Sequence, residues 1–145
     1  MNADFLQSNM HWVLLALASG TFLIVDTIRS IADKTSISPL DATLKINRDE
    51  AVVIDVREQA EYANGHIPNA RHIPLGELDR RLPELEKLKD APLILCCASG
   101  ARSRTATAKL RKAGFDNVFN LKGGLTEWEK AGNPLTTGRK PKGKK

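Results

Sequence analysis

The sequence predicts an α/β fold, a small parallel β-sheet with helices on both faces, preceded by one N-terminal transmembrane helix. Short apolar segments alternate along the chain with segments of helical spacing, and an apolar run lies near the N-terminus. The short segments are apolar throughout, as in a parallel sheet that is buried on both faces. A chain of 145 residues is long enough for one such domain and an appendage.

Four strands are predicted from the short apolar segments. They comprise residues 51–55, 70–73, 92–96 and 117–121. Ligand sites in sheets of this kind lie beyond the carboxyl ends of the strands. Asp55 ends one strand and Cys97 directly follows another, so both residues are expected at that edge of the sheet.

Helix signals lie between the predicted strands. Ser38-Pro39 begins a helix in which Leu40 and Leu44 are apolar positions. Further helical segments are predicted over 58–64, over 75–88 with an interruption at Pro83, over 103–113 with Ser103 as the N-cap, and after Gly123-Gly124.

Residues 10–28 are predicted to be a transmembrane helix in contact with a lipid bilayer, with a leader at 1–9 and a connector at 29–35. His11 is the only ionisable residue between Met10 and Val25. The apolar residues surround the helix instead of forming a stripe, which argues against a surface helix. This run spans about 24 Å, slightly less than the hydrocarbon core of about 30 Å, and flanking apolar residues could extend it.

A cleaved signal peptide and a buried or amphipathic helix are the alternatives for this segment. A signal peptide has a basic start, whereas the leader contains Asp4 and no Lys or Arg. The first basic residues, Arg29 and Lys34, follow the apolar run. Because positive residues stay on the cytoplasmic side, a single-pass inner (plasma) membrane protein with a cytoplasmic C-terminal domain is predicted.

The net charge of +5 belongs to the C-terminal end of the chain. Residues 139–145 carry five positive charges and no negative one, so residues 1–138 sum to zero. Residues 138–145 are predicted to be a disordered basic tail, either solvated or in contact with anionic lipid. Nucleic acid is not expected as a partner, since no base-reading element accompanies the tail.

The two cysteines are adjacent, a geometry that strains a disulfide, and a reducing compartment fits them better. The spacing of Cys and His resembles no metal site, and no cofactor is predicted.

The loop that begins at Cys97 is the candidate for chemistry. It continues through Ala98, Ser99, Gly100, Ala101, Arg102 and Ser103. A turn of small residues before a helix directs backbone N–H groups toward one point, and the helix N-terminus adds partial positive charge. A cysteine in such a cradle is favoured as the nucleophilic thiolate, and the cradle can also hold an anionic substrate.

Several motifs in order resemble the rhodanese-like (sulfurtransferase) family over residues 36–137, and the anchor before a single such domain resembles membrane-bound bacterial members. The motifs are 53–58 (Val-Ile-Asp-Val-Arg-Glu), Glu61-Tyr62, 65–70 (Gly-His-Ile-Pro-Asn-Ala), Ile73-Pro74, the 97–103 loop, and 121–124 (Leu-Lys-Gly-Gly) with Trp128. Asn69 stands where the family usually has glycine.

The resemblance implies that Cys97 accepts a sulfane sulfur from a small donor as a persulfide. It then passes that sulfur to cyanide, to a small thiol or to a sulfur-accepting protein. Backbone N–H groups of residues 98–102 are expected to stabilise the thiolate and the persulfide. Arg102 is expected to hold the loop or to bind the donor anion. Asp55 and Arg57 are supporting residues, with Asp55 expected to bond backbone groups near the loop or, alternatively, to tune the thiol.

Two other functions stay open. Counted from Cys96, the chain has the Cys-x5-Arg-Ser spacing of cysteine phosphatase loops, although Leu95 stands where those enzymes usually have His. A non-catalytic rhodanese-fold binding or regulatory module at the membrane is the other alternative. The intact Cys97 and Arg102 favour catalytic competence, and Cys96 is expected to be a buried strand residue.

Overall fold

The computed structural model describes residues 3–137, and the chain divides into two compact units, Met1–Lys34 and Thr35–Lys145. Helix α1 (Ala3–Ala32) makes up the first unit. It begins before and ends after the predicted 10–28 span, so helix also occupies much of the predicted leader and connector. The stretch Ala3–Arg29 is long and apolar enough to cross a membrane. The predicted tail, 138–145, lies outside the described residues.

Two threonine hydroxyls within α1 donate to carbonyl oxygens of the same helix. The hydroxyls of Thr21 and Thr27 donate to the carbonyl oxygens of Leu17 and Leu23, at 2.8 and 2.7 Å. Large apolar side chains around the helix are exposed, for example Phe22 at 72%.

The second unit contains a five-stranded parallel sheet flanked by helices, which confirms the predicted fold class. Its strands are β1 (Ser36–Ile37), β2 (Val52–Asp55), β3 (Arg71–His72), β4 (Leu93–Cys96) and β5 (Val118–Leu121), in the order β1-β5-β4-β2-β3. Every neighbouring pair of these strands is parallel. Sequence analysis missed β1, because two residues are too few to produce a strand pattern.

The helices largely follow the predicted order. They are α2 (Pro39–Arg48), α3 (Gln59–Asn64), α4 (Leu82–Glu86), α5 (Ala101–Lys112) and α6 (Gly124–Lys130), with a 3₁₀ turn at Leu75–Glu77. The predicted helical segment 75–88 is therefore two short elements, with Pro83 in the first turn of α4. Ser38 caps α2 as predicted, because its hydroxyl accepts from the Asp41 N–H at 3.1 Å.

The predicted N-cap of α5, Ser103, was wrong by three residues. Gly100, with φ of 94°, is the N-cap, and Ser103 lies inside the first turn. Glycine adopts this left-handed conformation without a steric penalty. Gly100 can therefore serve as the residue from which the chain enters α5, ahead of Ser103. The hydroxyl of Ser103 is thereby free for contacts other than capping.

Two clusters of buried side chains cover opposite faces of the sheet, since neighbouring residues of a strand alternate between them. One cluster joins the sheet to α4 and α5 through Leu85, Ala106 and Leu110. The other joins it to α2 and α6 through Ala42 and Trp128. Cys97 belongs to the first cluster and Cys96 to the second.

The pairing of β2 with β4 places the ends of these two strands level with each other. Asp55 lies opposite Cys96 in the register, and the Val56 N–H donates to the Cys96 carbonyl at 3.0 Å. The segments that follow both strands consequently leave the sheet at the same edge, as predicted. Cys97 is the first residue beyond β4.

Candidate active site

The loop after Cys97 packs against the start of α6 through two glycines. Gly123 and Gly124 have φ of 74° and 59°, and a Cβ at Gly124 would overlap the carbonyl oxygen of Cys97. This close approach lets the Leu125 N–H donate to that carbonyl at 2.9 Å. The hydroxyl of Thr126 donates to the Ala98 carbonyl at 3.0 Å. The loop carbonyls therefore bond to α6.

The sulfur of Cys97 lies within a set of hydrogen-bond donors. The Gly100 N–H donates to Sγ at 3.0 Å, and the Ser103 N–H and hydroxyl lie 3.5 and 3.4 Å from it. Burial by itself raises the pKa of Cys97, but the hydrogen bonds from Ser103, Ser99 and Gly100 together outweigh burial and lower it. The thiolate is thus favoured at this position.

Asn120 is a site residue that the motif analysis did not identify. It lies on β5, is 1% exposed, and its Oδ1 is 2.5 Å from the Ser103 hydroxyl. Its amide nitrogen donates to the Gly100 carbonyl at 3.4 Å. Because a hydroxyl carries one proton, Ser103 donates either to Asn120 or to Cys97 Sγ. A polar residue inside an apolar strand was the available signal in the sequence.

Arg102 is held by a partner from α3. Its Nη1 and Nη2 atoms donate to the two carboxylate oxygens of Glu61, at 2.8 and 2.9 Å. The hydrogen bonds to Glu61 raise the pKa of Arg102, and those from Arg102 lower the pKa of Glu61 to about 2. The backbone N–H of Glu58 also donates to Glu61, at 3.3 Å. Arg102 therefore ties the loop to α3, one of the two roles expected for it.

Of the remaining loop residues, Ser99 and Ala101 are exposed, Ala98 is half-buried and Gly100 is buried.

Asp55, expected to bond backbone groups near the loop or to tune the thiol, bonds both the backbone and the side chain of Arg57. Both of its carboxylate oxygens accept from the Arg57 guanidinium, at 2.8 to 3.1 Å, and Oδ1 also accepts from the Arg57 N–H. Arg57 in turn donates to the Gly65 carbonyl at 2.6 Å. Asp55 is fully buried, and a buried carboxylate requires a partner of opposite charge, which Arg57 provides. The pair links the end of β2 to the segment after α3.

Cys96 lies in a different environment from Cys97. It is fully buried in the cluster with Ala42 and Trp128, and burial raises its pKa well above the ordinary value. A thiol held in its neutral form on the face of the sheet opposite to Cys97 is a poor nucleophile. This placement disfavours the phosphatase alternative, which requires Cys96 as the reactive group.

Among residues 3–137, no group of three or more His, Cys, Asp and Glu side chains is placed to hold a metal ion. The chemistry that this arrangement can perform on its own is nucleophilic attack by a stabilised thiolate.

Residues 38–131 match the family described as Rhodanese-like domain. The chain belongs to the rhodanese-like domain family. The resemblance drawn from the motifs is thereby confirmed, and it includes the segment that carries Cys97.

Individual relatives support the same assignment. The chain is 35% identical over 133 residues to the uncharacterized protein YibN of Escherichia coli (strain K12). This alignment covers 90% of this chain and 90% of YibN. Only about a tenth of this chain lies outside that alignment, so part of α1 lies within it. It is also 35% identical over 103 residues to thiosulfate sulfurtransferase GlpE of Actinobacillus pleuropneumoniae serotype 5b (strain L20), covering 71% of this chain and 94% of GlpE.

Among solved structures, a rhodanese-related protein from Thermoplasma volcanium has a TM-score of 0.63 with this chain at 34% identity. The match covers 70% of this chain and 96% of that protein.

Replacing Ser103 with Ala is expected to raise the pKa of Cys97, because it removes one hydrogen-bond donor to the thiolate and leaves the backbone donors in place. The measurement is the rate of alkylation by iodoacetamide as a function of pH, on both sides of the ordinary thiol pKa of about 8.5. The exposed Thr105→Ala on the same helix is the control and should leave the profile unchanged. Identical profiles for Ser103→Ala and the parent protein would contradict the assigned contact.

Replacing Glu61 with Gln is expected to reduce the free energy of unfolding at neutral pH by less than about 1 kcal/mol, since both partners of the ion pair are exposed by more than a third. The pKa of Glu61 is lower in the folded state than its ordinary 4.5. The stabilisation is therefore present above about pH 4.5 and is lost as the pH falls toward about 2.

Urea unfolding of both proteins across this pH range measures the effect. The difference between parent and variant should shrink as the pH falls, and a difference that stays constant would argue against the pair.

Proposed function

We propose that this protein is a sulfurtransferase that carries sulfane sulfur as a persulfide on Cys97 and delivers it to a thiol or to cyanide. The observation that carries the proposal is the set of donors around Cys97 Sγ, provided by Gly100 and Ser103. The names of two relatives support it: GlpE is a thiosulfate sulfurtransferase, and a protein of Allochromatium vinosum that is 37% identical over 87 residues is a sulfurtransferase.

The reaction consists of two nucleophilic displacements at sulfur, and neither needs a reagent besides the donor and the acceptor. With thiosulfate as the donor, the Cys97 thiolate attacks the sulfane sulfur, and the sulfur–sulfur bond of thiosulfate breaks as sulfite leaves with the electron pair. An acceptor such as cyanide then attacks the outer sulfur of the persulfide. Thiocyanate forms and Cys97 departs as the thiolate, which the same donors stabilise.

Intact-mass spectrometry after incubation with thiosulfate, and separately with polysulfide, tests this proposal. We expect a gain of one sulfur mass that persists in Cys96→Ser, is lost in Cys97→Ser and is reversed by cyanide. Cys96→Ser is the matched control, because it changes the neighbouring thiol on the other face of the sheet.

Two outcomes would contradict the proposal. An adduct that requires Cys96 would favour phosphatase-like use of that residue. No adduct on either cysteine would favour a rhodanese-fold binding or regulatory module.

We further propose that α1 anchors the protein in the inner membrane, with the rhodanese-like domain in the cytoplasm. The length and apolar character of Ala3–Arg29 support the anchor, and so do the intrahelical hydrogen bonds of Thr21 and Thr27, which remove the cost of two polar groups in lipid. Arg29 and Lys34 follow the apolar run and support this orientation. A cytoplasmic location would also keep both thiols reduced.

Reporter fusions to the C-terminus measure the orientation. A fused green fluorescent protein should fluoresce in the membrane fraction, while a fused alkaline phosphatase should be inactive, because each reporter matures on a different side of the membrane. Active phosphatase would show the opposite orientation. Fluorescence in the soluble fraction would show that α1 is not an anchor.

A further inference from the structure

A cavity of about 250 Å³ lies between α3 and α6, next to the Cys97 loop. Ala98, the residue directly after the thiol, forms part of its lining together with the apolar side chains of Leu125 and Leu135. Glu61 and Glu129 contribute carboxylates to the same cavity. An apolar lining with a few polar groups is the usual form of a small-molecule site, and this cavity reaches the loop that carries Cys97 through Ala98.

The cations at this cavity are already neutralised. Arg57, which lines it, is paired with the buried Asp55, and Arg102 of the adjoining loop is paired with Glu61. The carboxylate of Glu129 is exposed and forms no hydrogen bond or ion pair with any residue in the 3–137 range. Among residues 3–137, the cavity thus carries one negative charge without an ion-pair partner, and that charge comes from Glu129.

We propose that this cavity admits the acceptor thiol, and that Glu129 favours small thiols bearing a positively charged ammonium group over anionic ones. The inference rests on the proposed function, since it needs a persulfide on Cys97. It names the chemical class of the acceptor for that site. An anionic thiol would approach the loop past an unpaired carboxylate, whereas an aminothiol would be attracted to it.

The transfer to such an acceptor is a single displacement. The thiolate of the aminothiol attacks the outer sulfur of the Cys97 persulfide and forms a new sulfur–sulfur bond. The bond between Cys97 Sγ and the outer sulfur breaks, and Cys97 takes the electron pair as a thiolate. The ammonium group takes no part in the bond changes, so Glu129 acts on the binding of the acceptor and not on the reacting atoms.

Three thiols of similar size and different charge test the proposal with the full-length protein. The persulfide is loaded with polysulfide, excess donor is removed, and its discharge by cysteamine, 2-mercaptoethanol and 2-mercaptoethanesulfonate is followed by intact mass. The comparison is made between the parent protein and Glu129→Gln. Glu127→Gln is the matched control, because Glu127 lies on the same helix but pairs with Lys130 and does not line the cavity.

In Glu129→Gln we expect the second-order rate constant to fall about threefold for the cationic thiol, to stay the same for the neutral thiol and to rise about threefold for the anionic thiol. Taking variant-to-parent ratios removes the intrinsic reactivity of each thiol. High salt should reduce these differences, since Glu129 is exposed to solvent.

Equal ratios for all three thiols, or the same pattern in Glu127→Gln, would overturn this inference and leave the proposed function intact. Failure of the parent protein to form a persulfide at all would overturn the proposed function, and this inference with it. Since Glu129 is exposed and has no partner within the part of the chain that the structure describes, Glu129→Gln should fold as the parent protein does. The rate with the neutral thiol checks this directly.

Discussion

The site depends on the contact between the backbone of Cys97 and the beginning of α6. The carbonyl oxygen of Cys97 is occupied by the Leu125 N–H, and that of Ala98 by Thr126. Both carbonyls thus bond to α6, and the N–H groups of Gly100 and Ser103, further along the chain, point toward the Cys97 sulfur. Only a residue without a Cβ fits at Gly124 in this arrangement. The reactivity of the thiol is therefore set by backbone packing as much as by the side chains around it.

Charge in and around the site is organised in local pairs. Asp55 with Arg57 connects the end of β2 to the segment after α3, and Glu61 with Arg102 connects α3 to the Cys97 loop. The first pair is buried and the second is partly exposed, so they differ in how strongly solvent screens them. Both arginines join chain segments, and Arg102 is also close enough to Cys97 for the thiolate to raise the pKa of Arg102. The other donors at Cys97 Sγ are the N–H groups of Gly100 and Ser103 and the Ser103 hydroxyl.

The sequence was sufficient for the fold class, for the order of the longer elements and for the edge of the sheet where Cys97 lies. Apolar runs and turn residues are local signals, and they marked β2, β4 and β5 well. The features that could not be predicted from the sequence depend on contacts between distant residues. β1 exists through its pairing with β5, and Arg102 has a partner 41 positions away in the chain. The start of α5 was misplaced because a serine resembles a cap, whereas the cap is Gly100, where a Cβ would lie only 3.2 Å from the backbone nitrogen of the distant Gly123.

The side chains of the two neighbouring cysteines lie on opposite faces of the sheet, and this separation affects how a sulfur bound to Cys97 would leave the protein. Adjacent residues have Cα atoms about 3.8 Å apart, closer than a relaxed disulfide allows, and here the two sulfurs also belong to different clusters. Cys96 cannot reach a sulfur carried by Cys97 without dismantling the end of β4. A persulfide formed on Cys97 would have no internal resolving thiol, so its lifetime would be governed by encounters with other molecules.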